Sequence, residues 1–394
     1  PSAGPAQPFA VLPQDELISQ LYGMRNIGAP LAWKTVQTSP VVVAVCDTGI
    51  DYTHEDLKAN MWVNPKEGAA DKHGADFIDT VFDRATLTEK FGTDPKDRHF
   101  HGTHVAGTVG AVGNNKVGVA GVCWKVQLMA VRCLGANGSG KSNSVQKAIE
   151  YAAENGAKVV NLSLGRPGGP LQSELEVIKK AREKGVVLVC SAGNSGTDNG
   201  TAEQYPTNYT KFVDNVISVA NTDIANKLNP TSCFNDKLVH IGAPGTNILS
   251  TMPMVRTEGF ALEESEAAKK GIKITLPTKY GQLSGTSMSA PHVAGAVALV
   301  LGHPKHAGLK TGSAADLKTA LFTRVNRLPA LAGKCATGGL LDISFLGEGA
   351  TPPPTPPMPP PLVPICPTKP PCMIICPPPH QCPQFPRRIF GRCR

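Results

Sequence analysis

Two hydropathy rhythms alternate along most of this chain. Val41–Cys46, Val126–Cys133, Val159–Ser163 and Val186–Cys190 are short apolar runs with no polar face. Between them, Ser144–Asn155 and Ser173–Glu183 carry apolar residues at three- and four-residue spacing, the mark of helices with one buried stripe. Strands apolar on both faces that alternate with amphipathic helices predict an α/β fold, a parallel sheet covered by helices on either side. Ala290–Leu301 contains His292 and is too short to cross a bilayer, so it reads as a buried helix. Glu258–Lys270 is a short amphipathic helix inside a polar stretch.

The pattern stops near Gly349. Residues 15–347 are read as one α/β domain behind an N-terminal arm, 1–14. Residues 348–364 are a proline-rich linker, expected to run as an extended spacer. Residues 365–394 form an irregular Cys-rich basic tail with Cys366, Cys372, Cys376, Cys382 and Cys393. A small disulfide-stapled knot and a tail held at one or two points are both open, and the spacing fits no zinc pattern. Eleven cysteines suggest an oxidising compartment, and an odd number cannot all pair internally. The net charge of +8 lies partly in Arg387, Arg388, Arg392 and Arg394, which argues for a solvated tail and against a nucleic-acid-binding stripe. No membrane span is expected, and the start at Pro1 reads as processed.

Three segments carry chemistry. A buried strand ends on Asp47-Thr-Gly-Ile, His101-Gly-Thr-His104-Val-Ala-Gly opens one small-residue helix, and Gly285-Thr-Ser287-Met-Ser-Ala-Pro-His opens another. A serine hydroxyl is a weak nucleophile until a base removes its proton, and the base needs a carboxylate to fix its tautomer. Asp, His and Ser in that chain order are the order of subtilisin.

DTGID, HGTHVAG and GTSMSAPHVAG closely resemble the active-site signatures of the subtilase family, with similarity over roughly residues 12–347. The resemblance implies a subtilisin-like three-layer fold and a serine endopeptidase working through an acyl-enzyme. It implies Asp47, His101 and Ser287 as the triad, Asn194 as oxyanion donor and His104 as a packed structural histidine. It places substrate along Leu134, Gly138, Ser139 and Gly140 on one edge and Ser163, Leu164 and Gly165 on the other. Gly193 and Gln204 would complete the pocket for the residue before the scissile bond, which Gln204 should make shallower and more polar. It also implies a structural calcium ion at Asp56, Asn115, Asp15 and the carbonyls of Val112, Val117 and Val119, clamping the N-terminal arm to a loop. Partners would be protein or peptide substrates and an N-terminal inhibitory propeptide outside this chain, in a secreted or secretory-pathway enzyme. The tail suggests attachment to a matrix or wall, and a structural or adhesive protein is the competing class.

Other signals compete with these. Gly135-Ala-Asn-Gly-Ser-Gly-Lys141-Ser142 fits a P-loop, but the next strand, ending Asn161-Leu-Ser163, lacks a magnesium-binding aspartate. Insertions at 64–98 and 252–279 flank His101 and Ser287, and Phe100 stands where many relatives have glycine. Of four glycosylation sequons, Asn199 and Asn208 are expected to be usable, because Asn137 and Asn161 fall in proposed strands.

Overall fold

The computed structural model describes residues 12–83, 88–306 and 314–347. The linker 348–364, the tail 365–394 and most of the arm 1–14 lie outside the described residues. In chain order the fold begins with α1 (Tyr22–Asn26), α2 (Ala29–Ala32) and β1 (Thr38–Asp47). The antiparallel pair β2 (Gly74–Asp83) and β3 (Thr88–Gly92) precedes α3 (His101–Gly110), β4 (Lys125–Arg132), α4 (Ser142–Glu154) and β5 (Ala157–Leu162). Next come β6 (Arg166–Pro167), α5 (Gln172–Glu183), β7 (Val187–Ser191), β8 (Gln204–Tyr205) and β9 (Val216–Thr222). The last part holds β10 (Ile241–Pro244), β11 (Ile248–Thr251), α6 (Glu258–Lys269), β12 (Tyr280–Leu283), α7 (Thr286–Gly302), α8 (Ala314–Phe322), β13 (Asn326–Arg327) and β14 (Gly339–Leu340).

Ten strands form one sheet in the order β13-β14-β10-β9-β7-β5-β1-β4-β2-β3. Only the edge pairs β2–β3 and β13–β14 are antiparallel. β1 lies between β4 and β5, parallel to both. The chain moves to one side of β1 through β4 and to the other through β5. In such sheets the cleft beyond the strands' C-terminal ends holds the ligand.

Period-two alternation sorts β1 between two cores. Val43 and Val45 join the side of α3 and α7, with Val105, Val109, Val293 and Val297. Ala44 and Cys46 join the side of α4 and α5, with Ile149 and Ile178. Both sets are fully buried, which is why the run shows no polar face. α7 is buried from Thr286 to Leu301 and is apolar all round for the same reason. The insertion 64–98 supplies the sheet edge through β2 and β3. Its Asp76 and Asp79 converge on Arg132 Nη1 at 2.6 and 2.7 Å.

Candidate active site

β1 delivers Asp47 and α3 opens on His101. Asp47 Oδ1 accepts a hydrogen bond from His101 Nδ1 at 2.8 Å and another from the Thr48 backbone N–H at 2.8 Å. Asp47 is fully buried and His101 nearly so. With Nδ1 donating, Nε2 of a neutral ring is bare and can accept a proton. Gly102 follows because the turn after Asp47 runs against it; a Cβ there would lie 2.1 Å from the Gly49 carbonyl oxygen.

Asp97, which sequence reasoning missed, builds this corner. Its Oδ1 accepts from Thr48 Oγ1 at 2.9 Å and the His99 N–H at 2.8 Å. Its Oδ2 accepts from the N–H and hydroxyl of Thr103 at 3.0 and 2.6 Å. Burial raises the Asp97 carboxyl pKa, and the bond from the Thr103 side chain opposes the rise. One carboxylate thus ties the turn after Asp47 to the free N–H groups of α3's first turn. It precedes the helix by four residues, outside the usual capping spacing, so no motif marks it.

α7 presents Ser287 in its first turn. Ser287 Oγ donates to the Ser163 carbonyl at 3.1 Å, while Ser163 Oγ donates back to the Ser287 carbonyl at 2.7 Å. Asn161 Nδ2 braces Ser163 Oγ at 2.9 Å. Asn194 Oδ1 accepts from Thr286 N at 2.8 Å and Thr286 Oγ1 at 2.9 Å. That commits the amide oxygen, while among the described residues Nδ2 makes no hydrogen bond. Among the described residues the Ser287 backbone N–H has no acceptor, so two donors and a helix N-terminus share one place. Asp47 with His101 is one bonded set; Ser287 with Ser163, beside Asn194 on Thr286, is the other. α3, which opens on His101, and α7, which carries Ser287, pack in a common core.

The proposed substrate edges are a turn and a strand end. The Leu134 N–H is held by the Asp47 carbonyl at 3.1 Å, and Gly135 N bonds Ser139 O at 2.8 Å. Gly138 takes φ +70° there. The P-loop lookalike is this self-closed turn leading into α4. Opposite it, Ser163 and Leu164 leave β5, and the Leu164 carbonyl accepts from Ser191 Oγ at 3.3 Å. β6 pairs with β8, Pro167 facing Gln204. A Cβ on Gly193 would lie 3.3 Å from Gln204 Cγ, and one on Gly165 3.7 Å from the Tyr205 carbonyl oxygen. Gly165, Gly193 and Gln204 therefore gather at one spot beside Asn194.

His104 points away from this chemistry. Its Nε2 lies 2.8 Å from the Ile248 carbonyl and 3.1 Å from that of Gly281, and burial lowers its pKa to about 3.

The six residues implied for calcium form one set. Asp15 accepts from the N–H groups of Asn114 and Asn115 at 2.7 and 3.1 Å, tying the arm to the loop. Asp56 accepts from Asn115 Nδ2 at 2.7 Å and Val119 N at 2.9 Å, and Asn115 Oδ1 from Val117 N at 2.8 Å. Burial pushes Asp56 up to about 7 against its bond from Val119, and burial also raises Asp15. Among the described residues the carbonyls of Val112, Val117 and Val119 accept no hydrogen bond. Two carboxylates whose charge burial opposes, beside unpartnered carbonyl oxygens, suit a hard cation. Yet only two acids contribute, and no group of three or more His, Cys, Asp or Glu occurs among the described residues.

One expectation fails. Asn199 and Asn208 are fully buried and hydrogen-bonded to one another, Asn199 Nδ2 to Asn208 Oδ1 at 3.1 Å and Asn208 Nδ2 to the Asn199 carbonyl at 2.8 Å. Asn199 also holds the Ala192 carbonyl at 3.0 Å. These amides buttress the loop carrying Asn194, so neither can carry a glycan in the fold. The tail cysteines, where a disulfide knot is one of the open readings, lie outside the described residues. Cys46, Cys123, Cys133, Cys190, Cys233 and Cys335 are free and buried. Burial pushes the Cys46, Cys133 and Cys190 thiols far up, as for small core hydrophobes.

A model of the Subtilase family matches residues 38–338. The chain belongs to that family. It is 35% identical to thermitase of Thermoactinomyces vulgaris over 72% of this chain and 82% of that protein. It is 36% identical to Subtilisin Savinase of Lederbergia lenta over 71% of this chain and 83% of that one. The major intracellular serine protease of Bacillus subtilis is 34% identical, over 77% and 81% of the two chains. A solved protease structure from Pseudoalteromonas arctica superposes with a TM-score of 0.67 at 27% identity, covering 86% of this chain and 99% of that one. This subtilase is accordingly a serine endopeptidase of the subtilisin-like fold. Its relatives include both subtilisins and an enzyme named as intracellular. No helix among its described residues is long and apolar enough to cross a membrane.

Proposed function

We propose that Ser287 is the nucleophile, His101 the general base, Asp47 its orienting carboxylate and Asn194 an oxyanion donor in peptide-bond hydrolysis. The observation that carries this reading is the 2.8 Å bond from His101 Nδ1 to Asp47. His101 Nε2 takes the Ser287 proton as Oγ attacks the peptide carbonyl. Asp47 steadies the imidazolium, which returns the proton to the leaving amine; water repeats the sequence to free the acyl group. The Ser287 hydroxyl must rotate from the Ser163 carbonyl to begin, a tightening that substrate binding commonly provides. The oxyanion falls to the Ser287 N–H and Asn194 Nδ2. Asn194→Ala should lower kcat by about 10²–10³-fold with KM little changed, a scale set by subtilisin's own asparagine. A steady-state assay checks it, and a change in KM alone would contradict the role.

Leu134, Gly138, Ser139, Gly140, Ser163, Leu164 and Gly165 are proposed to line the peptide groove, with Gly193 and Gln204 at the pocket. Gln204 narrows that pocket and gives it an amide. Asp15, Asp56, Asn115 and the carbonyls of Val112, Val117 and Val119 are proposed to hold a structural calcium ion, which would neutralise the two carboxylates and pin the arm. At about 100 times its Kd, such an ion adds about 2.7 kcal/mol to the folded state. In Ser287→Ala protein, where self-cleavage plays no part, EDTA should lower Tm, and Asp56→Asn should abolish the difference. Equal melting with calcium and EDTA would remove the site. Secretion accords with a calcium-clamped protease. The cysteines of the fold give it no support, since all six described are free.

A further inference from the structure

The insertion before Ser287 folds onto the segment that carries His101. α6 lies against residues 98–100. Phe260 is fully buried and meets the Phe100 ring edge-on at 5.3 Å. Phe100 stacks on His99 at 3.9 Å. The Gly259 N–H bonds the Arg98 carbonyl at 3.0 Å, and Thr257 Oγ1 donates to the His99 carbonyl. The approach is so close that a Cβ on Gly259 would lie 2.5 Å from His99 Cα.

His99 is the link to the base. It is 1% exposed, and its Nδ1 accepts the His101 backbone N–H at 3.3 Å. An accepting Nδ1 places the ring proton on Nε2, which lies 3.6 Å from Glu263 Oε1 on α6. Among the described residues Nε2 has no other partner. The His99 backbone N–H is meanwhile fixed by Asp97. Backbone and ring of His99 are thus held from two sides, by Asp97 from the catalytic corner and by α6 from the insertion.

We propose that α6 is a positioning element for His101, acting through His99 and Phe100. Resting on the triad assigned above, the proposal gives His99, Phe260 and Gly259 roles in the placement of the general base. The first residue of α3 has no intrahelical acceptor for its N–H. His99 supplies one, and the Phe100–Phe260 contact holds that acceptor in place. Loosening the contact lets the imidazole leave its line with Asp47, and misplacement by about 1 Å costs on the order of 10²-fold in rate. The effect falls on kcat, because none of these residues lies on the proposed peptide groove.

Gly259→Ala separates docking from helix stability, since alanine is the better helix former yet collides with His99. The assay measures kcat and KM on a peptide and the second-order rate of fluorophosphonate inactivation, with Tm as a folding check. Gly259→Ala, Phe260→Ala and His99→Ala should each lower kcat and the inactivation rate together, by roughly 10- to 100-fold, with KM within twofold. His99→Asn, which keeps an acceptor, should recover most of the loss. A lowered Tm with unchanged kcat in Gly259→Ala and His99→Ala, or a loss confined to KM, would overturn the proposal. His101→Ala is the reference. If it too left kcat unchanged, the triad reading would fail; if it alone abolished activity, only the role of α6 would.

Discussion

Replacing Ser287 or His101 by alanine should each lower kcat by roughly 10⁶-fold, and the double replacement should cost no more than either alone. The magnitude is that of subtilisin. The non-additivity follows from the chemistry: a hydroxyl without its base, or a base without its hydroxyl, performs no step of acyl transfer. The remaining rate belongs to the oxyanion donors and the groove. Both replacements should fold, because Ser287 sits in a helix's first turn with its backbone carbonyl still held by Ser163. His101→Ala keeps the backbone N–H that His99 accepts. Rates measured in the double mutant and the two singles decide it, and a double mutant whose loss is the product of the single losses would break the link between the residues.

Asp47→Asn should lower kcat by about 10⁴-fold while leaving Tm and KM close to the parent. The carboxylate accepts from His101 Nδ1 and from the Thr48 N–H through the same oxygen, Oδ1. An asparagine can keep the Thr48 bond with its carbonyl oxygen, but it cannot compensate the charge of an imidazolium. Turned the other way, its NH₂ drives the imidazole to the tautomer protonated on Nε2, which is useless as a base. Either arrangement preserves shape and removes function. A loss below tenfold in steady-state kcat would show that Asp47 does not govern the state of His101.

The sequence displayed much of this because buried parallel strands have no polar face to blur them. β1, β4, β5 and β7 each lie within three residues of an apolar run, and α4 starts two residues before its predicted position. α6 also follows its amphipathic pattern, Glu258–Lys269. What it docks on was not legible. Phe260 meets Phe100 across 160 positions of chain, and no periodicity encodes such a pairing. Asp97 was missed for a related reason: of its four hydrogen bonds, the one from Thr48 spans 49 positions, and those from His99 and Thr103 follow no capping spacing. The sequons misled in the opposite direction. Asn199 and Asn208 stand in polar surroundings that read as surface, yet their amide nitrogens bond buried backbone carbonyls and link the two side chains behind Asn194. The buried thiols Cys46 and Cys190 were legible, because they sit on apolar core strands. A thiol is as good a core residue as alanine, and number alone cannot distinguish packing from pairing.

The central claim is that one serine, made nucleophilic by His101 and Asp47, carries the reaction. Fluorophosphonate labelling followed by peptide mapping tests it most directly. The account predicts a single adduct on the peptide containing Ser287, formed in step with loss of activity, absent in Ser287→Ala and slowed by orders of magnitude in His101→Ala. An adduct on another residue, or full proteolytic activity surviving in Ser287→Ala, would contradict it.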